Sequence, residues 1–109
     1  MEIPAQPEKE RCKIAKKWSY ILDDGSVAIL SEETRVYHDW EHSAFRGTSL
    51  HRTEKGAWII EHLSAVDGET DSADRVQPID ALRYLLARDK LDWALEYPDL
   101  AACLPDAQA

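Results

Sequence analysis

The stretch "TSLHRTEKGAWIIEHL", residues 48 to 63, limits the folds open to this chain more than any other. Two runs rich in aliphatic, aromatic and β-branched residues flank Glu54-Lys55-Gly56. A three-residue loop with glycine in its left-handed position joins antiparallel strands, so the segment predicts a hairpin. Trp58, Ile59 and Ile60 stand in succession, which asks for cover on both faces and predicts a central strand for the second arm.

The neighbouring segments extend this pattern. "WSYILDDGSVAIL" is two apolar runs around Asp23-Asp24-Gly25-Ser26, and Asp-Gly supplies the positive φ angles of a tight turn, so a first hairpin is expected here. "RVYHDW" alternates, with Val36, His38 and Trp40 on one face and Arg35, Tyr37 and Asp39 on the other. A helix has support in the same place, because Ser31 can be an N-cap, Glu32 and Glu33 suit the positive end of the dipole, and Gly47 can close the far end. The β-favouring side chains of Thr34, Val36, Tyr37 and Trp40 tip the reading to strand.

Residues 64 to 77 are small, polar and acidic without periodicity, and predict a long exposed loop. Helical spacing then begins. Asp80 is the expected N-cap, Ile79 can pack on Tyr84 as a staple, and Leu82, Leu85, Leu86, Trp93 and Tyr97 fall on one stripe. Asp89 is expected to start a second short helix, which Pro98 ends or follows with a last turn. The fold class is therefore α+β: an antiparallel sheet of four or five strands across residues 17 to 63, with C-terminal helices from about 80 to 103 packed on one face. Residues 1 to 11, with two prolines and little to bury, read as a flexible tail, and a short helical turn that could follow across "EKERCKIAKK" has only Cys12, Ile14 and Ala15 as apolar positions and is marginal. Residues 12 to 109 read as a single domain.

Charge bears on partners. The chain has 109 residues, 44% of them hydrophobic, and a formal charge of −8. Residues 1 to 17 hold five basic and three acidic side chains (net +2), leaving eight and eighteen (net −10) in the rest. Such a body repels phosphate backbones and anionic headgroups, so neither direct nucleic-acid binding nor membrane binding is expected. Carboxylates on one face can instead imitate a nucleic acid toward a basic groove on another protein. Only Cys12 and Cys103 are present, which gives no disulfide framework and no Cys-x-x-Cys knuckle, and a reducing, cytoplasmic setting is expected.

The hairpin "LHRTEKGAWII", Leu50 to Ile60, and the helical "DALRYL", Asp80 to Leu85, resemble a pattern shared by small, largely uncharacterised prokaryotic proteins of plasmids, phages and other mobile elements. Those proteins carry a Leu-Tyr-Arg-Thr-x-x-Gly-x-Trp-Phe-Leu type of hairpin followed by an Ala-x-x-Trp-Leu helix. The resemblance spans about residues 28 to 88, including "SEETRVYHDW". It departs at His51, where the pattern has an aromatic, at Ile59-Ile60 in place of Phe-Leu, and at Tyr84 in place of Trp. It implies a fold and a mobile-element setting, and no catalytic residue.

Chemistry concentrates in "HDWEH", where His38, Asp39, Trp40, Glu41 and His42 are consecutive. Two histidines four apart share one zinc ion on a helix, but on a strand they lie about 13 Å apart, too far for ligand distances near 2 Å. The order also differs from the His-Glu-x-x-His of zinc peptidases. His51 and His62 sit on opposite arms of the second hairpin without facing each other, so a cluster of all the histidines needs a particular strand order. "DGETD", with Asp67, Glu69 and Asp71 at alternate positions, lacks the glycine and the glutamate of a calcium loop. No phosphate-binding loop, nucleophile elbow or redox cysteine pair occurs. Trp18, Trp58 and Trp93 read as core, whereas Trp40, set among charges, reads as an interface anchor.

The functional expectation is a non-enzymatic protein-binding module that uses His38, Asp39, Trp40, Glu41, His42, Asp67, Glu69 and Asp71. It would be an acidic inhibitor or accessory protein of a mobile element, acting on nucleic-acid-processing machinery and needing no cofactor. Two alternatives stand beside it: a metal-dependent hydrolase built on His38 and His42, and an immunity or antitoxin-type partner. A homodimer is open.

Overall fold

The computed structural model describes residues 16–107, so the amino-terminal tail, its marginal helical turn and Cys12 lie outside the described residues. The strands are β1 (Lys17–Ile21), β2 (Val27–Ser31), β3 (Arg35–Glu41), β4 (Arg46–Arg52), β5 (Trp58–Ser64) and β6 (Ser72–Val76). The helices are α1 (Pro78–Ala87), α2 (Leu91–Ala94), α3 (Pro98–Ala102) and α4 (Leu104–Ala107). The fold is α+β, but the strands form two antiparallel sheets, β1-β2 and β3-β4-β5-β6. Where one sheet was expected there is a two-stranded hairpin lying on a four-stranded sheet.

Both turns follow from their glycines. Leu22 donates its N–H to Ser26 C=O at 2.8 Å around Gly25 at φ +85°, and Thr53 donates to Ala57 C=O at 2.9 Å around Gly56 at φ +89°. The β4-β5 hairpin pairs Leu50 with Ile60, His51 with Ile59 and Arg52 with Trp58, and β5 is flanked by β4 and β6 as its apolar run requires. Residues 64 to 77 are not all loop, because Ser72–Val76 forms β6 with Val76 opposite Trp58. "SADRV" carries no strand signal of its own. It is an edge strand that β5 recruits, burying little more than Ala73 and Val76 against the two cores.

The four-stranded sheet is covered on both sides. Leu50 and Trp58 face the helices, where they join Ala81, Leu82, Tyr84, Leu85, Ala94 and Leu100. Ile59 faces the other way, into a smaller core with Leu22, Ala28 and Leu30 of the β1-β2 hairpin. One irregularity changes the expected faces of β3: the register slips between Arg35 and Tyr37, a β-bulge. Val36 and Tyr37 consequently both pack on the helical core, and Arg35, opposite His51, turns to the hairpin side.

Helix α1 is capped three residues before the expected Asp80. Gln77 is the N-cap, Pro78 occupies the first turn, and Asp80 accepts the Gln77 N–H at 3.2 Å from inside the helix. Asp89 ends α1 and does not open the next helix. It sits at φ +61°, its N–H donates to Leu86 C=O at 3.0 Å, and the Lys90 N–H donates to Leu85 C=O at 2.9 Å, which is a Schellman closure with aspartate where glycine is usual. Trp93 is not core: it stays partly exposed, edge-on to Tyr37 at 5.3 Å.

Trp58 joins the sheet to the last helices. Its ring is 2% exposed and its Nε1–H donates to Asp99 Oδ2 at 2.7 Å, while Arg52 lies over the ring at 4.8 Å and donates to Asp99 Oδ1 at 2.8 Å. Trp58→Ala is expected to cost on the order of 3 kcal/mol and Trp58→Phe only about 1 kcal/mol, the ring being kept and one hydrogen bond lost. Denaturant titrations of both variants check this, and equal losses would show that the Asp99 bond, not the ring, carries the contact.

Candidate functional site

"HDWEH" lies along β3, at the edge of the larger sheet, and runs into the turn to β4. The sheet separates its side chains. His38 Nδ1 pairs with Ser49 Oγ at 2.8 Å on the hairpin side, and Asp39 on the helix side takes the Arg88 Nε–H at 2.9 Å. Trp40 stands opposite Gly47 and lies against it: a Cβ on Gly47 would come within 2.6 Å of the Trp40 ring and of the Asp39 carbonyl. Only glycine admits the ring there. Glu41 is exposed opposite Arg46, and His42 is exposed in the turn.

The acidic loop reaches this same end of the sheet. Arg46 donates to Glu69 through Nε at 3.1 Å and again through Nη2. Glu69 also accepts the Ser64 hydroxyl at 2.6 Å, and these bonds hold its carboxyl down at about 2. Asp71 accepts the Ser64 N–H at 3.0 Å, whereas Asp67 stands exposed at the loop tip. Arg46 therefore brings Glu41 and Glu69 to the same end of the sheet, where a shallow groove is bounded by Asp39, Trp40, Glu41, Gly47, His62 and Arg88. His38 and His42 are split between the strand and its turn. Among the described residues no group of three His, Cys, Asp or Glu side chains is placed to hold a metal ion.

Phe45, which carries no sequence signal, completes this end. It precedes Arg46 at φ +54° and is 59% exposed, and its carbonyl accepts the Ala65 N–H at 2.9 Å, tying the β3-β4 turn to the start of the acidic loop. A left-handed aromatic residue strains the backbone by roughly 1 kcal/mol, and water around its ring returns nothing.

A second constellation lies under the β1-β2 hairpin. Glu61 of β5 is 1% exposed and its carboxylate receives the Trp18 Nε1–H at 2.6 Å, the Tyr20 hydroxyl at 2.7 Å and the His51 Nε2–H at 2.9 Å. Burial pushes the Glu61 pKa up, but the bonds from His51, Tyr20 and Trp18 outweigh it and leave the group below the ordinary glutamate value. Burial and the adjacent Glu61 charge raise the Tyr20 phenol, which stays protonated. With Nε2–H given to the carboxylate, His51 Nδ1 meets Thr34 Oγ1 at 2.8 Å, and Thr34 Oγ1 in turn takes the Ser31 N–H at 2.9 Å.

Carboxylate, imidazole and hydroxyl follow the order of a nucleophilic triad. Their surroundings make them a clamp instead: His51 is fully buried, the second Glu61 oxygen is taken by two donors from β1, and the Thr34 hydroxyl is engaged by Ser31 and His51. His51 lies opposite Ile59 and so does not face His62, as the hairpin loop predicts, whereas nothing in "WIIEHL" marks Glu61 for burial.

Comparison with protein-family models, with curated proteins and with solved structures finds no match.

Because the folded pKa of Glu61 is depressed, its contribution to stability is complete above the unfolded value near 4.3 and is lost as pH falls through the folded value. Glu61→Gln is expected to lower stability by about 2 kcal/mol at neutral pH and to flatten the acid limb of the stability curve. Urea melts between about pH 2 and pH 7 check this, and an acid limb as steep in the variant as in the parent would assign it to other carboxylates.

Proposed function

We propose that the protein is a non-enzymatic, cytoplasmic protein-binding module, an acidic inhibitor or accessory protein of a mobile element that docks on nucleic-acid-processing machinery. The observation that carries this reading is Phe45, whose positive φ and exposed ring are both unfavourable for folding alone. Strain held at an exposed aromatic side chain is accounted for when the ring is buried in a complex. Trp40, fixed over Gly47, is the second rigid aromatic at this end. Glu41, opposite Arg46, and Glu69, bonded to Arg46, stand at the same end of the sheet, and Asp39 pairs with Arg88 on the helix side. An aromatic centre with an acidic rim complements a basic protein groove of the kind that otherwise holds nucleic acid. The likeness of "LHRTEKGAWII" to hairpins of mobile-element proteins supports the setting.

Two substitutions separate binding from folding. Phe45→Asn places in the left-handed position a residue that tolerates it, and is expected to keep or raise the melting temperature. Trp40→Ala is expected to leave the fold intact. Each should weaken the partner identified by capture from host extract by roughly 2 kcal/mol, about 30-fold, measured by calorimetry with that partner purified. Unchanged affinity in both variants would contradict the reading, as would unfolding by Trp40→Ala as severe as by Trp58→Ala.

A further inference from the structure

Among the described residues strand β2 borders on β1 alone. Because Leu22 bonds Ser26 across the turn, the alternation of antiparallel rungs makes Tyr20-Ala28 and Trp18-Leu30 the hydrogen-bonded pairs. Val27, Ile29 and Ser31 then direct their N–H and C=O groups away from β1. Ser31 uses its pair on Thr34, receiving the Thr34 N–H at 3.2 Å and giving its own N–H to Thr34 Oγ1 at 2.9 Å. Val27 and Ile29 are left with outward backbone groups, and among the described residues no further strand lies along them.

This edge faces a groove of about 240 Å³ that follows β2 from Val27 to Ser31, with Thr53, Ala57 and Ile59 on the other wall. The side chains above it are apolar and unsheltered: Ile21 is 81% exposed, and Val27 and Ile29 are each 57% exposed. Its charge opposes that of the molecule. Lys17, Lys55 and Arg75 line the groove against Glu54 alone, with Asp24 reaching Arg75 from the turn at 3.7 Å, in a chain of net charge −8.

We propose that the open edge of β2 is a docking site that takes an extended, carboxylate-bearing segment of another protein as an added strand. Two outward rungs supply main-chain bonds, Ile21, Val27 and Ile29 supply apolar cover, and the three cations select acidic side chains. A second copy of this chain is a poor occupant. The antiparallel register that joins Val27 of one copy to Ile29 of the other sets Asp24 against Glu32 and Asp23 against Glu33 on both sides of the axis, and like charges face to face are unfavourable. The site differs in place and sign of charge from the Phe45 end, so it stands whether or not that end binds.

The probe is an acetylated, amidated peptide of alternating Glu and Val, seven residues long, with its Lys-Val counterpart as comparator; both are titrated into the full chain and followed by amide NMR and fluorescence anisotropy. The acidic peptide is expected to bind at least tenfold more tightly than the basic one and to slow exchange of the Val27 and Ile29 amides by roughly tenfold or more. Ile29→Pro removes one outward N–H without touching a bond to β1, and Lys17→Glu with Lys55→Glu reverses the charge. Each is expected to cost about tenfold in affinity, while Phe45→Asn costs nothing. Preserved Trp18-Leu30 and Tyr20-Ala28 amide protection shows that the variants are folded. Equal binding of both peptides, no binding of the acidic one, perturbation away from β2, or a dimer in sedimentation that Ile29→Pro abolishes would each overturn the proposal.

Discussion

One buried carboxylate joins the two sheets. An ionised glutamate taken out of water costs several kcal/mol unless its oxygens are fully bonded. Glu61 meets that demand with three donors, two of them, Trp18 and Tyr20, from the strand more than 40 residues upstream. The apolar contact beneath the hairpin, Leu22, Ala28, Leu30 and Ile59, is small. Apolar burial is non-directional and would tolerate sliding of one sheet over the other, whereas two charge-assisted bonds from β1 to one carboxylate, itself held by His51 of its own sheet, fix the angle and the register. Glu61 thus supplies orientation, and the small core supplies attraction.

That orientation produces one of the two surfaces on which partners are proposed to dock. Clamped by β1, the hairpin leaves β2 beside Thr53, Ala57 and Arg75 and so creates the basic groove. The bulge at Arg35 and Tyr37 sends Tyr37 toward Tyr84 and Trp93 and lets β3 end with Trp40 over Gly47. The helices hold this end from the other face through Arg88, which pairs with Asp39 and stacks on Tyr84 at 3.6 Å. The molecule accordingly presents an acidic aromatic end and a basic apolar edge on separate elements.

The parts legible in the sequence are those with local causes. Gly25 and Gly56 announce their turns, the Trp58-Ile59-Ile60 run announces a strand covered on both faces, and the leucine spacing announces α1. What could not be read depends on partners distant in the chain. "SADRV" becomes β6 because β5 has an edge to fill, and Glu61 is buried because Trp18, Tyr20 and His51 converge on it. Val36 changes face through a bulge that no residue type at that position requires. At the candidate site, "HDWEH" and the acidic loop each stood out by composition. Their meeting through Arg46 and the left-handed Phe45 are products of the fold.

Native-state hydrogen exchange measures the clamp between hairpin and sheet directly. In the parent protein the Tyr20 and Ala28 amides should exchange only with opening of the whole domain, at the rate of the Leu50 and Ile60 amides. In Tyr20→Phe, with one Glu61 donor gone, Ala28 should exchange roughly tenfold or more faster while Leu50 and Ile60 keep their protection, showing the hairpin leaving the sheet by itself. Unaltered Ala28 exchange in that variant, or equal acceleration at Leu50, would contradict Glu61 as the element that holds the two sheets in register.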